Sequence, residues 1–504
     1  MRQTSEKLVT HGQLIVFGFL LVGMIIAAVL WPLLAQIVVW AVVIFFGIFV
    51  GLKLVLWWAS SRHEFVSFDM PSEDDPDLPM YTVWAPLYQE ASALPGLLRG
   101  IAELHYPKHK LQVLLLVESE ERDPAIYEAL RGIELPNYVT VCEVPDVKPY
   151  GKPKALNWGL LHTAGKFGVI YDAEDRPDPD QLLKAVGRFR SSGDDVACLQ
   201  ARLHFTNGMS SWTARMMWVE YIIHFEWVLR GLDHLGLVIP LGGTSNHFRV
   251  DALSAVAFDP EVLPEGAKGV GGWDPWNLTE DAELAGALVR AGYRVELFDS
   301  VTHEVASRRV RVAVPQRSRW QKGYTQTGLA YLRRPWRTAR EMGVTRWSIY
   351  ILFLLGTPWS ILLSTLSWIL TIVYFCTRSE TIESLFPPPL FYLGVFLLVF
   401  GNFALFIQHV MAAYYRQGYT TIKWLLLLPV WQQLATVSVI MAWKQLAQKS
   451  KRHLWVKTEH EEDLDTRSVD EVENVSPKLK VITDGSAQPA PASPQQRMAE
   501  PEVS

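Results

Sequence analysis

The segment Val169–Pro177, which reads Val-Ile-Tyr-Asp-Ala-Glu-Asp-Arg-Pro, decides the fold of this chain. An apolar run that begins after Gly168 breaks into three carboxylates within four positions, and Pro177 then ends it. This pattern is typical of a strand with acidic groups at its carboxyl end. Open α/β sheets bind ligands at that edge, so we expect a functional site here. The alternative is an ordinary acidic surface loop, because short acidic clusters are common on protein surfaces.

Two of these carboxylates, Asp172 and Glu174, have the spacing of a metal site. Side chains two positions apart on an extended backbone point to the same side, so both can face one cation while Ala173 faces away. Hard carboxylate oxygens suit Mg²⁺ or Mn²⁺ that holds a diphosphate. The segment therefore predicts a divalent metal site.

The composition predicts an integral membrane protein. The chain has 504 residues, of which 49% are apolar, and the apolar residues concentrate towards its two ends. Apolar stretches of spanning length cover residues 13–30, 33–58, 347–376, 390–413 and 422–443. A cleavable secretory signal is the alternative for the first stretch, but that stretch is too long and lacks a small-residue cleavage site.

Charge and cysteine content exclude some classes of function. The net charge of -5 gives no general basis for nucleic-acid binding, so we expect no nucleic-acid partner. Three widely spaced cysteines form neither a disulfide framework nor a Cys-x-x-Cys metal site.

Basic residues near the first two spans predict the orientation of the chain. Arg2 and Lys7 precede the first span and Lys53 and Arg62 flank the end of the second, which places both flanks in the cytoplasm by the positive-inside rule. The predicted organisation is two transmembrane helices (1–60), a linker (61–79), a cytoplasmic soluble domain (80–312), interfacial amphipathic helices (313–345), a C-terminal transmembrane region (346–446) and a largely disordered cytoplasmic tail (447–504).

The soluble domain alternates strand-like with helix-like runs, which predicts a doubly wound, mainly parallel α/β sheet. The predicted strands are Tyr81–Ala85, Leu111–Val117, Tyr138–Val141, Gly168–Asp172 and Val196–Leu203. The predicted helices are Glu90–Leu104, Pro124–Leu130, Lys154–Thr163, Pro179–Phe189 and residues 210–235.

The count of C-terminal spans conflicts with the charge pattern. Two spans followed by three would place the basic stretch Lys444–Lys457 outside the cell, although its charges favour the cytoplasm. Either Pro429 divides the last apolar stretch into a re-entrant pair, or the stretch 347–376 is not one simple span. We favour the break at Pro429.

Three further segments carry candidate chemistry. Paired glycines in Leu241–Arg249 permit close backbone approach to a ligand, or form a plain turn. Thr279–Leu284 opens a helix in which Thr279 is expected to cap the first turn and Asp281 is a candidate general base; simple capping charges are the alternative. The basic segment from Arg308 to Arg340 is typical of a helix that lies on anionic lipid headgroups.

Together, the acidic pair at a strand end, the Thr-Glu-Asp helix start and the Gln-Arg-x-Arg-Trp sequence at 316–320 resemble the family 2 glycosyltransferases. The membrane-embedded, polysaccharide-making branch is the most similar, as in cellulose, hyaluronan and chitin synthases. The resemblance covers roughly residues 80 to 330 and the flanking membrane helices. It implies a nucleotide-sugar-binding domain of the GT-A type inserted between N-terminal and C-terminal transmembrane helices.

The resemblance also implies roles for individual residues. Asp281 falls on the catalytic base. Asp172 and Glu174 fall on the Asp-x-Asp metal motif, with Glu in place of the second Asp, so that Asp175 is the alternative second ligand of Mg²⁺ or Mn²⁺. The donor-binding positions are Tyr88, Glu90, Glu118, Lys152 and Arg319. The acceptor-binding positions are Gly243, Thr244, Gln316, Arg317 and Trp320.

The implied reaction is inverting transfer of a sugar from a nucleotide diphosphate donor, with UDP as the expected nucleotide, to a growing polysaccharide, coupled to export. Transfer of one sugar to a lipid or lipid-linked acceptor is the first alternative. A nucleotide-sensing transporter or receptor is the second, although its spans would carry more ionisable residues than Lys53 and His409. The architecture is typical of a bacterial inner-membrane enzyme with a cytoplasmic catalytic domain. The sequence identifies neither the sugar nor an export or regulatory partner.

Overall fold

A computed structural model describes residues 4–30, 32–258, 271–454 and 481–482. The strands are β1 Tyr81–Leu87, β2 Leu111–Val117, β3 Val139–Glu143, β4 Phe167–Ile170, β5 Arg176–Pro177, β6 Val196–Phe205, β7 Asn246–Arg249, β8 Arg294–Glu304 and β9 Val481–Ile482. The helices are α1 His11–Leu30, α2 Pro32–Ser60, α3 Leu94–Ala102, α4 Pro124–Arg131, α5 Lys152–Leu161, α6 Gln181–Ser191, α7 Trp212–Ile222, α8 Arg230–His234, α9 Val250–Ala255, α10 Glu280–Arg290, α11 Val310–Tyr331, α12 Pro335–Met342, α13 Val344–Thr377, α14 Glu380–Leu385, α15 Pro388–Tyr415 and α16 Leu428–Ala447. A π-helical segment, Ile223–Leu229, joins α7 to α8, and 3₁₀ segments cover Lys108–Lys110 and Tyr419–Leu427.

One mixed sheet runs through the soluble domain in the order β5-β8-β6-β7-β4-β1-β2-β3-β9. Strands β3, β2, β1 and β4 are parallel neighbours, and β6 is parallel to β8. Strand β7 lies between β4 and β6 and is antiparallel to both. The predicted doubly wound α/β domain is therefore confirmed, with an antiparallel strand at its centre.

Both faces of the sheet are covered, which explains why its strands are apolar almost throughout. Along β1, Val83 and Ala85 pack into the hydrophobic core on the face of α3, α4 and α6. Trp84 points the other way, into the core shared with α5 and α10. This alternation follows from the two-residue repeat of a strand. The helices on the two faces leave only the strand ends accessible.

Four helices are long and apolar enough to cross a membrane: Leu33–Ser60, Val344–Thr377, Pro388–Tyr415 and Tyr419–Ala447. They agree with four of the five predicted stretches. The first predicted span, 13–30, corresponds to a shorter apolar stretch, Gly12–Ala27, and stays a prediction as a membrane span.

The last apolar segment contacts the soluble domain at both of its ends. Near its start, Thr421 Oγ1 lies 3.3 Å from a guanidinium nitrogen of Arg215, at the first turn of α7. Near its end, the Lys322 ammonium on α11 donates to Gln445 Oε1 at 3.0 Å. The segment changes from 3₁₀ to α-helix just before Pro429. The re-entrant break at Pro429 and the number of spans stay predictions.

Three sequence expectations need correction or fall outside the structure. Strands β7 and β8 were not predicted, because β7 follows paired glycines and β8 contains charged residues. Thr279 occupies the N-cap position of α10, but its side chain makes no capping hydrogen bond and instead lies 3.5 Å from Thr327 Oγ1. The start of the predicted disordered tail, residues 447–454, is instead ordered and contacts α11, where Lys322 donates to Lys451 O at 3.1 Å and to Leu454 O at 3.0 Å. The rest of that tail lies outside the described residues, apart from the strand Val481–Ile482 beside β3.

Candidate active site

The carboxyl end of β4 and the loop before β7 form the centre of the site. Because β7 is antiparallel to β4, with Val169 opposite His247, the residues just before β7 lie beside the residues just after β4. The Ser245 amide donates to Ile170 O at 2.8 Å, which fixes this register. As a result, the Gly242–Gly243 pair lies next to Asp172, and all three line one pocket of about 220 Å³.

Lys152 connects these two segments. It is the first residue of α5, and its ammonium forms an ion pair with Asp172 and donates to Gly243 O at 2.9 Å. Burial opposes its charge, but Asp172 and Glu280 raise the pKa of Lys152 above its ordinary value. The site therefore holds a fixed positive charge, as phosphate oxygens require.

Asp281 lies on the other side of the same glycine. It is in the first turn of α10, and a Cβ placed on Gly243 would lie 3.2 Å from Asp281 Oδ2. Burial raises the pKa of Asp281 to about 6, and burial together with Asp281 raises the pKa of its neighbour Glu280 to about 7. A buried carboxylate whose pKa approaches neutrality is suited to accept a proton from a hydroxyl group.

Replacing Gly243 by alanine tests this close approach. Gly243 has φ +85°, a conformation that strains an alanine, and the new methyl group would press on Asp281 Oδ2. We expect a loss of about 1–2 kcal/mol in the free energy of unfolding and a fall in turnover. Gly292→Ala is the matched control, because Gly292 has φ +93° and open space around it. Chemical denaturation and initial rates of both variants measure the two effects. Equal turnover in the two variants would contradict the placement of Asp281.

Asp172 and Glu174 fit a divalent ion whose other ligands come from the substrate phosphates. Both line the pocket, and burial together with Asp175, Glu174 and Asp172 raises the pKa of the nearby Glu304 well above its ordinary value. This surplus of negative charge favours a bound cation. In the described part of the chain no cluster of three or more His, Cys, Asp or Glu residues is close enough to hold a metal ion alone. Mg²⁺ commonly binds through one or two carboxylates plus substrate phosphates, so the pair is sufficient.

Asp175, the alternative second ligand, faces away from the pocket. It is 1% exposed and does not line the pocket. It accepts hydrogen bonds from the Thr244 hydroxyl and the Asp172 amide. Burial raises the pKa of Asp175 well above its ordinary value, and the charges of Asp172 and Glu174 add to this shift. Asp175 therefore stabilises the turn after β4, and Glu174 is the better partner for Asp172.

The ends of β1 and β2 supply the far side of the pocket. Tyr88, Glu90 and Glu118 all line it. Glu118 Oε2 accepts from Lys154 Nζ and from Arg122, each at 3.1 Å. Flat and charged groups of this kind suit the ring and the exchangeable hydrogens of a nucleobase.

Helix α11 forms one wall of the pocket. Gln316, Arg319 and Trp320 line it, as their positions predicted. Arg317 points elsewhere: it donates to Glu220 Oε2 at 2.5 Å, and its guanidinium lies 4.6 Å from the Trp431 ring centroid. The structure therefore gives Arg317 a contact between α11, α7 and α16 rather than a place in the pocket, and this corrects its assignment to the acceptor.

The pocket also contains groups that the sequence did not single out. They are Arg122, Tyr150, Tyr221, Asn277, Glu280, Glu304 and His453. The Arg122 guanidinium stacks 3.4 Å from the Tyr150 ring centroid. Two of these residues could have been found from the sequence: Arg122 by its i,i+4 spacing from Glu118, and Glu304 by its position at the end of a strand. His453 reaches the pocket only through tertiary packing and had no local signal.

Comparison with known proteins shows similarity to glycosyltransferases. The model described as glycosyl transferase family group 2 matches residues 169–415, and the model described as glycosyl transferase family 2 matches residues 82–246. The chain is 23% identical over 272 residues to a probable glycosyltransferase, YdaM, of Bacillus subtilis, covering 53% of this chain and 61% of that protein. It is 25% identical over 307 residues to a probable glucomannan 4-beta-mannosyltransferase of Arabidopsis thaliana, covering 58% of this chain and 52% of that protein. The chain thus spans about half to three fifths of these relatives.

A solved structure shares the fold. The mannosyltransferase PcManGT of Pyrobaculum calidifontis, in complex with GDP-Man and Mn²⁺, superposes with a TM-score of 0.50 at 20% identity. The match covers 80% of this chain and 99% of that one. The family matches and the GT-A-like sheet agree. The chain belongs to the family 2 glycosyltransferases.

Proposed function

We propose that the protein transfers a hexose from a nucleotide diphosphate donor to a glycan hydroxyl group, with inversion at the anomeric carbon. The observation that carries this proposal is the contact chain Asp172–Lys152–Gly243–Asp281 within one pocket. It brings a positive charge and a candidate base to the same glycine. A sugar bound between them has its leaving group on one side and its attacking hydroxyl on the other.

Asp281 acts as the general base. Its carboxylate accepts the proton of the acceptor hydroxyl as the oxygen attacks the anomeric carbon and the bond to the diphosphate breaks. Lys152 and Arg319 stabilise the negative charge that develops on the departing diphosphate. Asp172 and Glu174 would hold a divalent ion, which when bound neutralises further phosphate charge. Trp320 lines the pocket, and its proposed role is to stack on the acceptor sugar.

Two lines of similarity favour different nucleotide-sugar donors. Resemblance to the polysaccharide synthases favours UDP. A plant relative and the solved neighbour are named as mannosyltransferases, and the neighbour is in complex with GDP-Man, which favours GDP-mannose. We propose polymer synthesis at the inner membrane with the catalytic domain in the cytoplasm, and transfer to a lipid-linked acceptor is the second candidate.

The pKa of Asp281 predicts the pH dependence of the rate. A base must be ionised, so kcat/KM should fall as pH drops below about 6, where Asp281 takes up a proton. Because the positive charge of Lys152 lowers the pKa of Asp281, Lys152→Met should move this acidic limb to higher pH. Initial rates at limiting donor concentration, over a pH range that brackets this value, measure the effect. An acidic limb at the same pH in both proteins would contradict the electrostatic link.

Purified protein in lipid nanodiscs, incubated with UDP-hexoses and GDP-mannose, tests the function. Release of the nucleoside diphosphate, product mass and the anomeric configuration of the product should be measured together. We expect one donor to be consumed and an inverted glycosidic bond to form. Long products indicate polymer synthesis, and products with one added sugar indicate the second candidate. Nucleotide binding without any transfer would overturn the proposal.

A further inference from the structure

A second cavity lies among the apolar helices, outside the catalytic pocket. It has a volume of about 960 Å³, between α2, α13 and α15, with α14 at one end and the first turns of α16 at the other. Helices α13 and α15 each pack on α2: Gly356 lies against Phe49, and Gly401 lies against Val50. The cavity occupies the space between the two packed helices.

Its lining is mainly apolar, and its rim is exposed. The wall residues include Val43, Phe46, Leu370 and Leu397. On the rim, Trp368 is 40% and Tyr392 is 72% exposed. Because the surrounding helices have membrane-spanning length, this opening faces the acyl chains of a bilayer. Acyl chains require only apolar contact, which most of this lining provides.

A single lysine lies at the end of this cavity nearest the catalytic domain. Lys53 lines the cavity, and its ammonium lies 4.9 Å from the Phe49 ring centroid. Four residues later, nearer the catalytic domain, Trp57 stacks on Trp227 with ring centroids 5.5 Å apart. An ionisable side chain within an apolar span calls for a partner of opposite charge.

The nearby acidic group is already occupied. Glu220 accepts from Trp431 Nε1 at 2.8 Å and from Arg317 at 2.5 Å, so both of its oxygens are engaged. Among the residues that the structure describes, no ion pair of Lys53 within 4.0 Å is found, and His409 is the other titratable group at this depth. The opposite end of the cavity carries Glu383, on α14. The cavity is therefore positive at the end near the catalytic domain and negative at the far end.

We propose that this cavity binds an anionic phospholipid from the leaflet that faces the catalytic domain. Its phosphate pairs with Lys53, and its acyl chains lie between α13 and α15. The charge at each end fixes this orientation, since a phosphate at Glu383 would be repelled. This site is separate from the donor pocket and does not depend on which sugar is transferred.

Spin-labelled lipids test the proposal without any nucleotide sugar. The full-length protein is placed in phosphatidylcholine nanodiscs that contain spin-labelled phosphatidylglycerol or spin-labelled phosphatidylcholine, and the immobilised fraction of each label is measured. One lysine at the headgroup level should give the anionic lipid about a fivefold preference. Lys53→Gln should remove this preference, whereas Lys53→Arg should keep it. Lys423→Gln is the matched control, because Lys423 is exposed on the segment Tyr419–Leu427 and does not line the cavity.

A second pair of variants tests the cavity itself. Ser364→Trp, on the cavity wall, should reduce the immobilised fraction of both labels, whereas Ile372→Trp, on the outer face of the same helix, should leave it unchanged. An anionic preference that persists in Lys53→Gln would overturn the proposal. So would a Ser364→Trp protein that keeps its lipid binding but no longer makes a glycan product, since the cavity would then carry the glycan.

Discussion

Asp281→Asn is expected to lower turnover on the order of a hundredfold or more, the usual size of general-base loss. The substitution keeps the shape of the side chain in the first turn of α10 but removes its ability to accept a proton. Donor binding should be unchanged, because the groups proposed to contact the phosphates are Lys152 and Arg319, which this substitution leaves in place. Single-turnover transfer and titration with the nucleoside diphosphate measure the two effects separately.

Glu280→Gln is the informative comparison for this variant. Glu280 precedes Asp281, lines the same pocket and also has a raised pKa, of about 7. We expect a smaller loss of turnover, since Asp281 rather than Glu280 lies against Gly243. If Glu280→Gln abolishes transfer while Asp281→Asn retains it, the base has been assigned to the wrong carboxylate.

Asp172→Asn should abolish the dependence of nucleotide binding on metal and reduce turnover on the order of a hundredfold or more, because charge stabilisation of several kcal/mol is lost. Asp172 is the first carboxylate after β4 and is the one that pairs with Lys152. Titration of nucleoside diphosphate with and without Mn²⁺ measures the change.

Asp175→Asn provides the matched control three residues along the chain. Asp175 is buried and hydrogen-bonded to Thr244 and to the Asp172 amide, so its loss should cost about 1–3 kcal/mol of unfolding free energy. Metal-dependent binding should persist in the protein that remains folded. A loss of metal dependence in Asp175→Asn but not in Asp172→Asn would reverse the two roles.

The spacing of apolar residues along the sequence predicted those strands and helices whose own residues determine their structure. The apolar strands β1, β2, β4 and β6 were predicted because they are buried on both faces. Asp172 and Asp281 were recognisable because one stands at the end of a strand and the other at the start of a helix, whereas Lys152 was identified only through the family resemblance. Such positions converge on one sheet edge in any doubly wound domain.

The rest depends on contacts between residues distant in the chain. Strand β7 was hidden because its identity comes from pairing with β4 and β6, not from its own composition. Arg317 and Arg319 are two residues apart on one helix, so only the packing of α7 and α16 directs Arg317 to Glu220 and leaves Arg319 in the pocket. Likewise, Asp175 and Glu174 are adjacent in sequence, and the buried Thr244 hydroxyl determines which of them turns inward.

The most direct test of the account is the structure of the protein with a bound nucleoside diphosphate and Mn²⁺, with the metal located by its anomalous scattering. We predict that the metal peak lies about 2.1 Å from oxygens of Asp172, Glu174 and the two phosphates. Lys152 should then contact phosphate, and Asp281 should face the space of one hexose beside the diphosphate. A metal peak elsewhere, or a bound diphosphate with Asp172 still paired to Lys152 and no metal between them, would contradict the account.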